Sequence, residues 1–270
     1  MIQACVTISL VEQARGGPFV FWGDLEIACR AAKQAQFDAV EIFAPSAESL
    51  AQFPLARLLE AEGLKLAALG TGAGWVLHRR HLVSPQAAER REAEAFIRAI
   101  IDKAGEFGAM AIIGSMQGHF GDEVDRTAAL AYLAESLDRL GDHAGQYGVP
   151  LLFEPLNRYE TNLLHTLGDA GDLLDSMASD NVRLLADLFH MNIEEQDIAS
   201  ALIAAAAKIG HIHFVDSNRH AAGLGHLEYE PIAAALKQIG YSGYLSAEAL
   251  PLPNSEQAAS ETMATFRKYF

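Results

Sequence analysis

The chain reads as an α/β protein, one domain over residues 1–270 closed into a (β/α)8 barrel, and three observations predict it. Short apolar runs alternate with longer amphipathic segments along all 270 residues. Glycines stand where the amphipathic segments stop. Four residues with lone pairs suited to a cation, Glu154, Asp187, His213 and Glu248, each close one of the last four apolar runs, 33, 26 and 35 residues apart. Each interval is about one strand, one helix and two loops, and in such a barrel the C-terminal strand ends converge on one mouth.

Eight candidate strands follow in order over 4–9, 38–43, 65–70, 110–114, 150–154, 182–187, 211–216 and 244–248. Their near-continuous Val, Ile, Leu and Ala content fits strands covered on both faces. Between them, apolar residues recur at helical spacing over 25–36, 86–107, 128–147 and 198–209. Gly63, Gly108, Gly148, Gly210 and Gly240 read as helix C-termini. No linker or break in composition divides the chain. Eight units closing on themselves are favoured over an open doubly wound sheet, which more often carries a glycine-rich phosphate loop after its first strand. Gly70-Thr71-Gly72-Ala73-Gly74 follows the third strand instead, with no prompt helical pattern after it, and reads as a flexible loop beside the mouth.

Composition bounds the function. Half the residues are apolar and a fifth are charged, enough for a large core. The formal charge of −15 argues against a nucleic-acid partner, which needs clustered Lys and Arg. Cys5 and Cys29 show no metal-knuckle or disulfide spacing, so a reduced cytoplasmic setting is expected. MIQACVTISL has no basic leader or cleavage site, and no uncharged apolar run approaches the ~20 residues of a membrane helix. A soluble, unprocessed protein without a membrane partner is expected.

A single acid closing an apolar run is often only a helix cap or a solvated loop residue. Four at the ends of consecutive strands are harder to dismiss. Three oxygen donors and one nitrogen form a hard set suited to one divalent ion, Mn²⁺ first and then Mg²⁺, with Co²⁺ and Zn²⁺ left open.

The segments FEPLNRYETNLLHT, LLADLFHMNIEE, HIHFVDSNRHAAGLGHLEY and YLSAEAL resemble the sugar isomerase and epimerase family with xylose-isomerase-like TIM barrels. Within it they are nearest the ketose 3-epimerases of the D-tagatose and D-psicose type. The resemblance implies that Glu154, Asp187, His213 and Glu248 bind one divalent metal. It also implies that Glu160, His190 and Arg219 contact substrate oxygens, and that Glu154 and Glu248 exchange the proton. Taken alone, Glu160 and Arg219 could be a surface ion pair and His190 a satisfied loop histidine. The chemistry implied is removal of a proton beside a carbonyl, with a cation sharing the charge of the enediolate and two carboxylates serving its two faces. If only one face were served, the site would be an aldose–ketose isomerase of the hydroxypyruvate-isomerase kind. A dehydratase of the inosose or dehydroshikimate kind is the other alternative on this barrel. Barrel endonucleases need a larger histidine-rich cluster and a basic surface, and a non-catalytic binding protein would tolerate loss of an acid.

The first half resembles the family less. Where 3-epimerases tend to place an aromatic residue after the fourth strand, this chain has Gly114-Ser115-Met116-Gln117-Gly118-His119. Trp75, His78, Arg79, Arg80 and His81 form a cationic cluster that is either a solvated face or a receptor for an anionic group on the substrate. Phe19-Val20-Phe21-Trp22 is strongly apolar for a loop, and either closes over the sugar or packs on another subunit. A homo-oligomer is an expectation from the resemblance alone.

Overall fold

The computed structural model describes all residues from Met1 to Phe270. Its strands are β1 (Gln3–Ser9), β2 (Phe21–Trp22), β3 (Ala39–Phe43), β4 (Lys65–Gly70), β5 (Met110–Ile113), β6 (Leu151–Phe153), β7 (Val182–Asp187), β8 (Ile209–His213) and β9 (Tyr244–Ala247). All pair in parallel, in chain order from β3 onward, and β9 returns to β1, closing a ring of eight. Closure removes the exposed edge that an open sheet would carry. β2 lies outside the ring, its two residues pairing with Ile8 and Ser9.

Helices cover the ring after every barrel strand, the two longest being Ala87–Gly105 and Arg126–Gly145. Polar residues before several of them supply the first-turn acceptor. Asp24, Asp125, Thr166, Asp197 and Asn254 each accept a backbone N–H three residues on. Gly63, Gly108, Gly148 and Gly240 take the left-handed conformation that ends a helix. Gly210 does not. It lies inside β8, where an added Cβ would come within 2.8 Å of Arg183 and 2.9 Å of Leu152. The helix before it therefore stops early, at Ala204.

One other expectation needs correction. The glycine-rich loop after β4 is not merely a flexible loop, because Ala73–His78 forms a short helix there. Six residues are too few for a helical period to show in sequence. The glycines serve close packing: a Cβ on Gly74 would lie 2.5 Å from Met116 Sδ, and one on Gly72 would lie 2.9 Å from Ser115 Oγ. Of the segment Phe19–Trp22, Phe19, Val20 and Phe21 are buried within this chain.

Strand parity places the chemistry. Side chains two apart share a face, so inward-facing Leu152, Leu185, His211 and Ser246 carry Glu154, Asp187, His213 and Glu248 one layer above them, toward the mouth. Beneath lie Ala68, Ile112, Leu152 and Leu185, a small apolar plug that fills the barrel. The opposite strand faces form the much larger core beneath the helices, 64 buried residues in contact. Ile97 is fully buried in that outer core. Ile97→Ala should cost about 2–5 kcal/mol in denaturant unfolding, the usual price of a large cavity, and leave turnover at the distant mouth intact. A loss below about 1 kcal/mol would mean that the helical layer collapses around the void.

Candidate active site

His213, the last residue of β8, points its Nδ1 at three carboxylates from three other strand ends. Asp187 Oδ2 is 3.1 Å away, Glu154 Oε1 3.2 Å and Glu248 Oε2 3.6 Å. Asp187 ends β7, whereas Glu154 and Glu248 stand one residue beyond β6 and β9. The four donor atoms lie within 4.8 Å of one another, and all four residues are largely buried. One N–H cannot satisfy three carboxylates, and Glu154 Oε1 is buried without a hydrogen-bond partner. The space is also kept open on one side: a Cβ on Gly114 would lie 2.5 Å from Glu154 Oε2. Three hard oxygens and an imidazole nitrogen, one oxygen orphaned, fit a divalent cation.

The electrostatics agree. Burial opposes a charged His213, but Glu41, Glu248, Asp187 and Glu154 overturn that and hold its imidazole protonated well above the usual range. Burial pushes Glu248 up to about 8, with Glu154 and Asp187 adding to it against the pull of His213 and Arg219. Without a cation the cluster thus neutralises itself with protons. Burial would raise Asp187 also, but His190, His213 and Arg219 hold it well below the ordinary carboxylate range.

Above this cluster opens a cavity of about 530 Å³. His190 and Arg219 both line it, with Glu160 at its rim. Asn157 donates its backbone N–H to His190 Nδ1 at 3.2 Å, with its side-chain nitrogen 2.7 Å away. Nδ1 is therefore the acceptor, Nε2 bears the proton, and Nε2 is buried with no partner. His190 thus offers a fixed, unused donor at the cavity. Arg219 stacks on Phe189 at 4.7 Å and bonds Glu160 Oε1 at 2.8 Å and Glu248 Oε2 at 3.1 Å. Its own backbone is left-handed, with φ 60, an uncommon state for arginine. Asp216 holds that loop: Oδ1 accepts from the backbone of Ser217 and Leu227, Oδ2 from that of Gly223 and the Tyr229 hydroxyl. Burial disfavours its charge, but these donors prevail and keep its pKa below the usual range.

All seven residues singled out in the sequence thus meet at one mouth. Sequence reading missed Glu41, which accepts from His211 Nε2 at 3.0 Å and His213 Nε2 at 3.2 Å. It also gave no role to Asn157 or Asp216. The available signal for Glu41 was an acid in the middle of the apolar run AVEIF, at inward parity. The cationic cluster does not serve the cavity. Arg79 stacks on Trp75 at 5.1 Å, Arg80 lies over Phe96 at 6.0 Å and 3.8 Å from Glu92, and only Trp75 of the cluster lines the wall. The aromatic surface absent after β5 is supplied by Trp75, Phe43 and Phe19, the two phenylalanines stacked at 4.8 Å.

A family model described as the xylose isomerase-like TIM barrel matches residues 29–269, and the chain belongs to that family. A D-psicose 3-epimerase of Agrobacterium fabrum is 28% identical over 211 residues, covering 77% of this chain and 73% of that one. An L-ribulose 3-epimerase of Mesorhizobium japonicum is 38% identical over 141 residues, 52% of this chain and 45% of that protein. The crystal structure of a D-psicose 3-epimerase with D-tagatose, from Clostridium cellulolyticum H10, superposes with TM-score 0.82 at 21% identity, covering 99% of each chain. At that identity the likeness speaks for the fold. No helix is long and apolar enough to cross a membrane.

A cation entering this cluster must displace the protons on His213 and Glu248. Affinity for Mn²⁺ should therefore rise with pH through the region near 8 in which Glu248 loses its proton, by up to about tenfold per pH unit for each proton released. Titration calorimetry in buffers of differing ionisation enthalpy measures the release. A pH-independent affinity with no proton release would show that the ion binds elsewhere.

Proposed function

We propose that this protein is a divalent-metal-dependent epimerase that inverts C3 of a free ketose. The observation that carries the reading is the pair Glu154 and Glu248. They enter from β6 and β9, three strands apart around the ring, and aim at the same point beside His213 Nδ1. Mn²⁺ is the favoured occupant of the donor set, which is mostly hard oxygen.

A cation held by Glu154, Asp187, His213 and Glu248 would act as a Lewis acid, sharing the charge that develops on the ketose carbonyl oxygen as the C3–H bond breaks. One glutamate takes the C3 proton, leaving the electron pair in the enediolate. The other delivers a proton to the opposite face of C3, so configuration inverts with no net oxidation. By microscopic reversibility Glu154 and Glu248 exchange the roles of base and acid between the forward and reverse directions. The Nε2–H of His190 is placed to donate to a substrate oxygen, and Glu160 to accept from a hydroxyl while Arg219 fixes it. Phe19, Phe43 and Trp75 present apolar faces for the sugar's C–H surface.

Charge favours an unphosphorylated substrate. The cavity is lined by the carboxylates of Glu41, Glu154, Glu160 and Glu248, and its one arginine is already engaged by two of them. A phosphate would meet like charge with no free cation to receive it.

Glu154→Gln and Glu248→Gln should each lower kcat by about 10²–10⁴-fold, the usual worth of a positioned acid or base, with the barrel's circular dichroism retained. Incubation of the wild type with free and phosphorylated ketoses in D₂O and Mn²⁺ should give deuterium at C3 of a free ketose. Label at C1 or C2 would indicate an aldose–ketose isomerase, and a dehydrated product a dehydratase. Near-wild-type turnover in either variant would take that glutamate out of proton transfer.

A further inference from the structure

Glu41 lines the cavity but stands outside the four-donor cluster, and it is among the most deeply buried acids in the protein, at 5% exposure. Parity in AVEIF turns it inward from β3, across the barrel interior from β8. Each carboxylate oxygen takes one imidazole. Oε2 lies 3.0 Å from His211 Nε2, and Oε1 lies 3.2 Å from His213 Nε2. An ionised carboxylate only accepts, so both Nε2 atoms carry protons. For His213 this leaves Nδ1, on the far side of the ring, as the nitrogen that faces Asp187, Glu154 and Glu248.

Fold stability does not account for this arrangement. A buried charge with imidazole partners gains little over well-packed apolar side chains of similar size. His211 is fully buried and its Nδ1 has no partner, a further cost. What the arrangement does accomplish is geometric. His211, two residues before His213 on the same strand face, fixes the far oxygen of Glu41 and hence the plane of its carboxylate. Glu41 then fixes the tautomer and rotation of the His213 ring, as carboxylates behind metal-bound histidines do.

We infer that Glu41, steadied by His211, is a positioning residue that presents His213 Nδ1 to the cation; this rests on the proposed metal-dependent function. Glu41, His211 and His213 are also close enough to form a cation cluster of their own. For that, the Nε2 proton of His213 would have to leave and one imidazole would have to bridge two ions. Stoichiometry separates the two arrangements.

The test uses Glu41→Gln and His211→Phe in the full chain. Mn²⁺ binding is read by paramagnetic resonance of the free ion, and the melting temperature of the metal-free protein is measured alongside. The wild type should bind one Mn²⁺ per chain. Glu41→Gln should raise the Kd by about 10–100-fold, and His211→Phe should raise it less. An unchanged Kd in Glu41→Gln overturns the inference, as does a lower melting temperature with Kd preserved. Two tight ions per chain would make Glu41 a ligand and overturn it too. If Glu41→Gln does not fold, His211→Phe decides, and an unaltered Kd there is fatal. A wild type that binds no Mn²⁺, Mg²⁺, Co²⁺ or Zn²⁺ would remove the metal-dependent function along with the inference.

Discussion

Three largely buried carboxylates aimed at one imidazole nitrogen set the terms for the rest of this molecule. Asp187, Glu154 and Glu248 approach His213 Nδ1 to within 3.6 Å from separate strands. Left without a counter-charge they would repel each other in a medium where screening is weak. Only a rigid frame can hold them there. The closed ring supplies it, since each donor is fixed by the pairing of its own strand and strand closure leaves the ends no freedom to splay. The outer layer of 64 buried residues anchors the strands from behind.

Around that point the chain spends conformational freedom on geometry. Gly114 has no side chain where Glu154 needs room. Gln117 ties the end of β6 to the turn after β5 through the carbonyls of Glu154 and Gly114. Arg219 accepts a left-handed backbone so that its guanidinium can grip two acids, and Asp216 holds the loop that makes this possible. Strain of this kind gathers where function fixes the backbone. The result is a mouth with donors, acceptors and apolar faces already in position.

How much of this could be read beforehand follows from distance along the chain. Glu154, Asp187, His213 and Glu248 were legible because each closes an apolar run and the runs follow one another at about the length of a βα unit, which signals a shared mouth. The strands were legible to within a few residues for the same reason, β4 and β7 to the residue. Glu41 was not, because its partner His213 lies 172 residues away and no local period connects them. The short helix after β4 escaped because six residues cannot display amphipathicity, and Gly210 misled because a glycine packed tightly inside a strand looks, in sequence, like a helix end. The cationic cluster invited an anionic ligand, but its arginines found Trp75, Phe96 and Glu92 within the protein. Charge in a sequence does not reveal which way it points.

The family and the site together describe an epimerase-type barrel whose wall draws its aromatic surface from β3 and the loops after β1 and β4. The most direct measurement is anomalous X-ray scattering at the manganese edge from crystals grown with Mn²⁺. The account predicts a single peak bonded to His213 Nδ1 and to oxygens of Glu154, Asp187 and Glu248. A peak on the Nε2 side, between Glu41 and His211, or none within the barrel, would contradict it.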